Sequence, residues 1–221
     1  MASEATVGTV TEMTPPRFIV LDGMDGAGKS SQLGPLVEWL RASGREVVTC
    51  RDPGSTAVGD AIRAILLDRH DLCLNPTSEM LLYMAARAQL VAEVVAPALA
   101  RGAWVVSDRF LLSNIVYQGH AGGLDPATIR SVGGVATGGL APDLVLVLDL
   151  DLVTASRRLD RPLDKLESRG DAYRQRLRDG YLGEAGADPE RIRVIDATGT
   201  PNAVTAAVRG AVTSRFPELA E

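Results

Sequence analysis

The sequence predicts an α/β fold in which a five-stranded parallel sheet is flanked by helices. Two observations lead to this prediction: short apolar runs typical of buried strands, and helical periodicity in the segments between them. The apolar runs lie at residues 18–21, 46–50, 104–107, 144–148 and 192–195. Strands that alternate with helices in this way usually pair in parallel, with right-handed crossovers.

The first predicted strand, Phe18–Leu21, leads directly into a glycine-rich loop. Residues 23–30 read GMDGAGKS and match the pattern G-x-x-x-x-G-K-[ST] at every fixed position. Apolar residues between 33 and 40 then recur with helical spacing. Strand, loop and helix together are the context of a P-loop, in which backbone N–H groups and a helix N-terminus bind phosphate.

The P-loop predicts a site for ATP. Lys29 is expected to reach the β- and γ-phosphates, and the Ser30 hydroxyl is expected to ligate Mg²⁺. The residues expected to bind ATP are Gly23, Met24, Asp25, Gly26, Ala27, Gly28, Lys29, Ser30 and Ser31.

Polar residues follow the other predicted strands, at the edge where ligands bind in parallel α/β sheets. Arg51 and Asp52 follow the second strand, and Asp108 and Arg109 follow the third. Asp22 and Asp149 end the first and fourth runs in the same way. We therefore expect one polar site above the carboxyl ends of the strands.

A long helix is predicted to begin near Asn75-Pro76-Thr77, before the third strand. Its Met and Leu residues recur with helical spacing, which indicates a face buried in the core. Tyr83 and Arg87 lie four residues apart and therefore share one face. An arginine on this apolar stretch either extends its charge to solvent or meets an acceptor in a cleft.

The chain has 221 residues and a net charge of −5. Residues 157–178 differ from the rest: they contain eight basic and four acidic side chains, a net charge of +4. A local cationic segment on an acidic protein suits a small polyanion and argues against a nucleic-acid partner. We expect a disordered tail at 1–16 and a single domain at 17–221, with an arginine-rich lid at about 157–169.

Location is predicted to be cytoplasmic. Residues 1–16 lack the features of a secretory signal, and no continuous apolar run has the roughly 18 residues needed to span a membrane. Cys50 and Cys73 form no metal-binding spacing, and they fit a reducing compartment. We expect no membrane partner.

The chain resembles thymidylate kinase of the bacterial type along nearly its whole length from Arg17 onward. No N-K-x-D motif of the guanine-nucleotide switches occurs. The matching segments are GMDGAGKS at 23–30, RDPGST at 51–56, LLYMAARAQL at 81–90, SDRFLLSNIVYQG at 107–119, PDLVLVLD at 142–149, LDKLE at 163–167, RDGYL at 178–182 and VIDA at 194–197.

The resemblance implies the P-loop fold of the nucleoside monophosphate kinases and a reaction. The family transfers the γ-phosphoryl group of ATP to dTMP with Mg²⁺, giving dTDP and ADP in dTTP synthesis. Asp108 matches the acid that organises the Mg²⁺ shell, and Arg109 matches the arginine that holds the acceptor's phosphate. Asp25 matches a carboxylate near the sugar 3′-hydroxyl and the metal.

The resemblance also implies a dTMP site and a homodimer. Tyr83 stands where the family usually has a Phe stacked on thymine, and Arg87 matches the arginine that reads a thymine carbonyl. Asn114 matches a side chain at the base edge. The remaining residues expected to bind dTMP are Arg51, Pro53, Tyr117 and Gln118.

The P-loop itself contains no arginine, so the basic segment is expected to supply charge to the transition state. Arg158 and Arg161 are the first candidates, and Lys165 is the next. Three departures from the family pattern stand out: Asp52 replaces a Glu, Ser55 replaces a Gly, and Lys165 replaces an Arg. The lid is also about two residues shorter than the bacterial pattern.

Two alternatives remain open at this stage. One is a P-loop kinase of another nucleoside monophosphate or of a deoxynucleoside, and the other is a non-catalytic nucleotide sensor. Arg51 and Arg109 favour an acceptor that already carries a phosphate. A sensor would be expected to have lost Lys29, Asp108 or Arg109, and all three are present.

Overall fold

The structure is a computed structural model that describes residues 15–158 and 170–219. Within these ranges five parallel strands form one sheet, in the order β2-β3-β1-β4-β5. The strands are β1 (Phe18–Gly23), β2 (Val47–Arg51), β3 (Trp104–Asp108), β4 (Leu144–Asp149) and β5 (Ile192–Asp196). The predicted fold class is confirmed.

The strands end one or two residues later than the predicted apolar runs. The added residues at the carboxyl ends are Asp22 and Gly23 in β1, Arg51 in β2, Asp108 in β3, Asp149 in β4 and Asp196 in β5. They still pair in the sheet: Asp108 is in register with Leu21 on one side and with Arg51 on the other. Pairing extends the strands into the polar residues and brings those residues to a single edge.

Helices cover both faces of the sheet. In the described residues they are α1 (Lys29–Ala42), α2 (Ala57–Arg63), α3 (Pro76–Leu90), α4 (Ala96–Ala100), α5 (Leu111–Asn114), α6 (Pro126–Thr137), α7 (Leu152–Arg158), α8 (Asp171–Ala187) and α9 (Pro201–Arg215). Wider π-helical turns at Ala64–Asp68, Val91–Val95 and Ile115–His120 continue α2, α3 and α5, and a 3₁₀ turn covers Pro217–Leu219.

The two larger hydrophobic cores of the described residues lie on opposite faces of β1. Ile19 and Leu21 pack with α1 and α9, whereas Phe18 and Val20 pack with residues of α3, α5 and α8. This division follows from the alternation of side chains along a strand. Because β1 is covered on both faces, its sequence is a continuous apolar run rather than an alternating one.

The long helix predicted near residue 75 begins at Pro76, with Asn75 as its N-cap. The Asn75 side chain accepts a hydrogen bond from the Ser78 N–H at 2.8 Å. Helical structure continues through a π turn to Ala100. By length and composition alone, Pro76–Ala100 could span a membrane, but the core helices of soluble proteins pass the same test.

Candidate active site

The P-loop connects β1 to α1 in a conformation that its glycines permit. Gly23 has a φ of +127°, and a Cβ there would lie 2.5 Å from the Leu148 carbonyl oxygen, so only glycine fits. Gly26 and Gly28 also have positive φ. The Lys29 Nζ donates to the carbonyls of Gly23 and Met24, at 3.0 Å in each case.

A cavity of about 770 Å³ opens above the P-loop. Residues 25–32, which include the end of the loop and the start of α1, form one wall. The rest of the lining comes from strand ends, α2, α7 and the segment after β5: Arg51, Asp52, Arg63, Asp108, Arg109, Arg158, Ala197, Gly199, Pro201 and Val204. Its size and its phosphate-binding wall suit a nucleoside triphosphate.

A second cavity, of about 120 Å³, adjoins the first. Its lining combines apolar and aromatic side chains with polar ones from α3, α5 and the following π turn: Pro53, Leu67, Tyr83, Arg87, Ser113, Asn114, Tyr117 and Gln118. Asp25, Asp52, Arg63 and Arg109 line both cavities. The four shared residues form the boundary between the larger space above the P-loop and a smaller, more aromatic one.

Arg109 is the central cation at this boundary. Its Nη2 donates to the Asp25 carboxylate at 2.6 Å and to the Tyr117 hydroxyl at 3.2 Å. Its Nη1 donates to the Gly23 carbonyl and to the Ser113 hydroxyl, at 3.0 Å in each case. The guanidinium is thus connected to the P-loop and to the segment that lines the smaller cavity.

The surroundings of Asp25 and Lys29 in the P-loop shift the pKa values of both side chains. Burial alone would raise the pKa of Asp25, but Arg109, Lys29 and the Tyr117 hydroxyl outweigh it and hold the pKa well below its ordinary value. Burial and the nearby charge of Arg109 lower the pKa of Lys29. Asp25 is therefore an anion at neutral pH and partners both cations.

Arg87 is buried and connects the walls of the smaller cavity. Its Nε donates to Asp52 at 2.5 Å, and its Nη1 donates to the Asn114 side-chain carbonyl at 2.7 Å. The chain of hydrogen bonds continues from Asn114 to Gln118 and from Gln118 to the buried Glu79, at 2.6 and 2.8 Å. Burial raises the pKa of Asp52, and the Arg87 charge acts in the opposite direction.

Two of the three departures from the family pattern, Asp52 and Ser55, have structural explanations; the third, Lys165, lies outside the described residues. Asp52 forms a fully buried ion pair with Arg87, and the shorter side chain is sufficient for that contact. Ser55 has a φ of +66°, which explains why a glycine is usual there. The Ser55 hydroxyl accepts a hydrogen bond from the Arg51 N–H at 2.9 Å.

Most of the predicted site residues line one or both cavities. Arg51, predicted for the dTMP site, lines the larger cavity and pairs with Asp60 at 3.0 Å. Arg158 also lines the larger cavity, where it donates to the carbonyls of Ala197 and Thr198. Arg161, Lys165 and most of the predicted 157–169 lid lie outside the described residues, as do residues 1–14 of the predicted tail.

Ser30 and Asp108 both line the larger cavity, and their oxygens suit Mg²⁺. Within the described chain, the buried Asp108 Oδ1 has no hydrogen-bond partner, which leaves an acceptor available to a cation or its water. Among the described residues, no three His, Cys, Asp or Glu side chains cluster as a metal site. A metal that arrives with ATP needs few protein ligands, so this donor set fits.

Two residues that contact the site, Arg63 and Tyr181, were not among the predicted site residues. Arg63 lines both cavities and donates to the Pro53 carbonyl at 3.0 Å, although α2 carries no motif that would single it out. Tyr181 of α8 contacts Asp22 and Arg109. The segment RDGYL at 178–182 contains Tyr181 and is one of the segments that resemble the family, so this match was the signal in the sequence that could have identified Tyr181.

The two histidines line neither of the two cavities. His70 is exposed, and His120 pairs with Glu184 of α8 at 2.7 Å. Asp149, a polar strand end like Asp108, is paired with Arg178 through two bonds of 2.8 Å. The cavities are therefore supplied with arginines and carboxylates rather than with imidazoles.

Comparison with known proteins agrees with this geometry. A sequence model of the family described as "Thymidylate kinase" matches residues 21–208. The chain belongs to the thymidylate kinase family. The match covers the lining of both cavities, four whole strands and the end of β1, so fold and site fall within one family.

Individual thymidylate kinases are similar over most of their length. The enzyme of Rhodopirellula baltica is 45% identical over 84% of this chain and 76% of its own. That of Chromohalobacter salexigens is 44% identical over 92% of this chain and 98% of its own. The crystal structure of thymidylate kinase from Ehrlichia chaffeensis superposes with a TM-score of 0.74 at 27% identity, covering 90% of this chain and 99% of that one.

The chain is therefore an enzyme, and its activity is the ATP-dependent phosphorylation of dTMP. This excludes the nucleotide-sensor alternative, since the family is one of kinases.

Proposed function

We propose that the larger cavity holds ATP, that the smaller cavity holds dTMP, and that the γ-phosphoryl group crosses between them at Asp25 and Arg109. The observation that supports this arrangement is the wall shared by the two cavities. Lys29 and the P-loop N–H groups bind the β- and γ-phosphates of ATP. Arg109 binds the acceptor's phosphate.

The transfer needs position and charge rather than a strong base. A phosphate oxygen of dTMP is already anionic at neutral pH, so no proton has to be removed before it attacks the γ-phosphorus. Phosphoryl transfer has a loose transition state in which catalysis comes from in-line placement and neutralisation of charge. Arg109 and Lys29 supply fixed positive charge beside Asp25, at 2.6 and 3.5 Å from its carboxylate.

Thymine is proposed to stack on Tyr83, with Arg87 and Asn114 at the base edge and with Tyr117 and Gln118 beside the sugar. Pro53 and Arg51 belong to the acceptor-side loop. Asp25 is proposed to contact the sugar 3′-hydroxyl and the metal shell, and its position in the lining of both cavities supports this role. The buried network of Arg87 keeps the base-edge groups in fixed positions.

Mg²⁺ is proposed as the cofactor, held by Ser30, Asp108 and the phosphates of ATP. When bound, it would neutralise the negative charge of the β- and γ-phosphates during transfer. The residues 17–221 form one kinase domain in this proposal. Arg158, Arg161 and Lys165 of a lid at about 157–169 add cationic charge at the transferring group, and such insertion is worth about 10³–10⁵ in rate in other phosphoryl-transfer enzymes.

The experiment that tests this function measures ADP release with dTMP, dUMP, dCMP, dGMP and thymidine as acceptors. We expect fast, ATP-dependent turnover with dTMP and little with thymidine, because thymidine lacks the phosphate that Arg109 binds. Rapid turnover with thymidine alone would overturn the proposal. Turnover with another monophosphate in preference to dTMP would overturn the assignment of the smaller cavity to thymine.

Replacing Tyr83 with alanine is expected to weaken dTMP binding by about 1–3 kcal/mol, the range measured for base–aromatic stacking elsewhere. Tyr83 lines the smaller cavity and is only partly exposed, which is the placement expected of a side chain that contacts a bound base. Tyr83→Phe is the matched control, since it keeps the ring and should bind dTMP nearly as well. Titration calorimetry of both variants measures the effect; equal dTMP affinity in Tyr83→Ala would exclude stacking.

Removing divalent cations with excess EDTA is expected to lower turnover by about 10²-fold or more, since a metal contributes several kcal/mol of charge stabilisation. Added Mg²⁺ should restore the rate. Asp108→Asn should raise the Mg²⁺ concentration needed for half-maximal rate, whereas Asp149→Asn should not, because Asp149 is paired with Arg178. Full turnover in EDTA would contradict the metal requirement.

We further propose a cytoplasmic homodimer. Leu81 on α3 and Val58 on α2 are 49% and 46% exposed, and because α2 packs on α3 these two helices are the proposed dimer face. Sedimentation that gave only a 23.4 kDa species would contradict the dimer. Cys50 and Cys73 are free thiols, as expected in a reducing compartment, and cell fractionation tests the location.

A further inference from the structure

Tyr181 of α8 lies beneath the acceptor side of the site with 2% of its surface exposed. Its hydroxyl donates to Asp22 Oδ1 at 2.6 Å and accepts from Arg109 Nη1 at 3.3 Å. The same hydroxyl is 3.2 Å from the Ser113 hydroxyl. Tyr181 therefore forms a bridge between a buried carboxylate and the guanidinium at the boundary of the two cavities.

Arg109 depends on its surroundings for its position. Its backbone has a φ of +67°, in the left-handed region that residues with a Cβ adopt only when other contacts enforce it. Its side chain also has many rotamers, and fixing one of them costs conformational entropy. The hydrogen bonds of Nη1 fix one end of the guanidinium, and its other nitrogens are then oriented toward the cavities.

Asp22 is the fixed point of these contacts. It is fully buried, and its Oδ1 accepts hydrogen bonds from the Gly23 N–H, the Ser113 hydroxyl, the Tyr181 hydroxyl and Arg109. The Tyr181 bond is the shortest of the four. Burial raises the pKa of Tyr181 well above its ordinary value, so its hydroxyl retains the proton that it donates to Asp22.

We infer that Tyr181, acting with Asp22, is a positioning residue that holds Arg109 in the geometry required to bind the acceptor's phosphate. The inference rests on the proposed role of Arg109. It predicts that loss of the Tyr181 hydroxyl weakens the binding of a ligand that carries a phosphate. The binding of the same ligand without its phosphate should be unchanged. A purely structural role would not separate the two ligands.

The same helix provides a matched control. The Tyr173 hydroxyl donates to the Tyr117 carbonyl at 3.0 Å, and Tyr173 is as well buried as Tyr181. Tyr173→Phe therefore removes one buried hydroxyl of α8 that contacts the smaller cavity's wall without contacting Arg109. Tyr181→Phe keeps the ring that packs edge-on against Tyr117, with 6.4 Å between the ring centroids.

Titration calorimetry with dTMP and with thymidine tests the inference in wild type and both variants. Tyr181→Phe should bind dTMP about tenfold more weakly, the effect of losing one hydrogen bond to a charged group. Its affinity for thymidine should be unchanged, and in turnover its KM for ATP should also be unchanged. Tyr173→Phe should keep the wild-type ratio of the dTMP and thymidine affinities.

Asp22→Asn is a second variant that keeps the side-chain shape, and it should reduce the same ratio. If Tyr181→Phe and Asp22→Asn both retain the wild-type preference for dTMP over thymidine, the inference is overturned and the proposed function is left intact. Equal weakening of dTMP and thymidine in Tyr181→Phe would also overturn it. A wild-type protein with no preference for dTMP over thymidine would overturn the proposed function together with the inference.

Discussion

Lys29→Met is expected to lower kcat/KM by about 10²–10³, the loss typical of removing one fixed donor aimed at transition-state charge. Lys29 is 7% exposed and its ammonium group contacts the carbonyls of Gly23 and Met24 and the Asp25 carboxylate. Methionine keeps the length and apolar volume of the chain but supplies no charge to the phosphates. Steady-state ADP release measures the loss.

The fold should survive this substitution because Asp25 keeps its shorter ion pair with Arg109. Arg41→Met is the control: it removes a cation from the last turn of the same helix, where Arg41 donates to the Val47 carbonyl away from both cavities. That variant should retain near wild-type turnover. Undiminished activity in Lys29→Met, with an unchanged thermal melt, would show that the P-loop assignment is wrong.

Arg109→Lys is expected to reduce kcat/KM for dTMP by about 10²-fold or more, although the positive charge is retained. Arg109 uses both terminal nitrogens at once, one toward Asp25 and Tyr117 and one toward Gly23 and Ser113. A lysine has one terminal nitrogen and cannot hold this arrangement while binding a phosphate. The loss should appear mainly in the KM for dTMP, with the KM for ATP little changed.

Arg178→Lys provides the matched control for Arg109→Lys. Arg178 makes a two-pronged ion pair with Asp149, and it lines neither of the two cavities described above, so the same chemical change should leave the KM for dTMP near its wild-type value. If both substitutions raised the KM for dTMP equally, the effect at position 109 would not be specific to the phosphate of dTMP.

The strands and the P-loop were predictable because their signals are local. A strand covered on both faces must be apolar throughout, so Phe18–Leu21 is visible in the sequence alone. The loop at 23–30 depends on glycines at fixed spacing, and Gly23 has no room for a Cβ against Leu148. The predicted strand ends were short because the polar residues that close the strands still pair in the sheet.

Contacts between distant elements were not predictable. Tyr181 reaches Asp22 across 159 positions of the chain, and periodicity within α8 gives no indication of that pairing. Arg63 reaches the site because α2 packs beside the loop at Pro53. The place of Arg51 in the larger cavity follows from the register of β2 with β3, which the sequence does not specify.

A crystal structure with dTMP and a non-hydrolysable ATP analogue bound together tests the two-cavity arrangement most directly. We expect the dTMP phosphate to contact Arg109 within hydrogen-bonding distance, with the thymine on Tyr83 and the triphosphate on residues 23–31. A dTMP phosphate that lies away from Arg109, or a thymine outside the cavity lined by Tyr83 and Arg87, would contradict it.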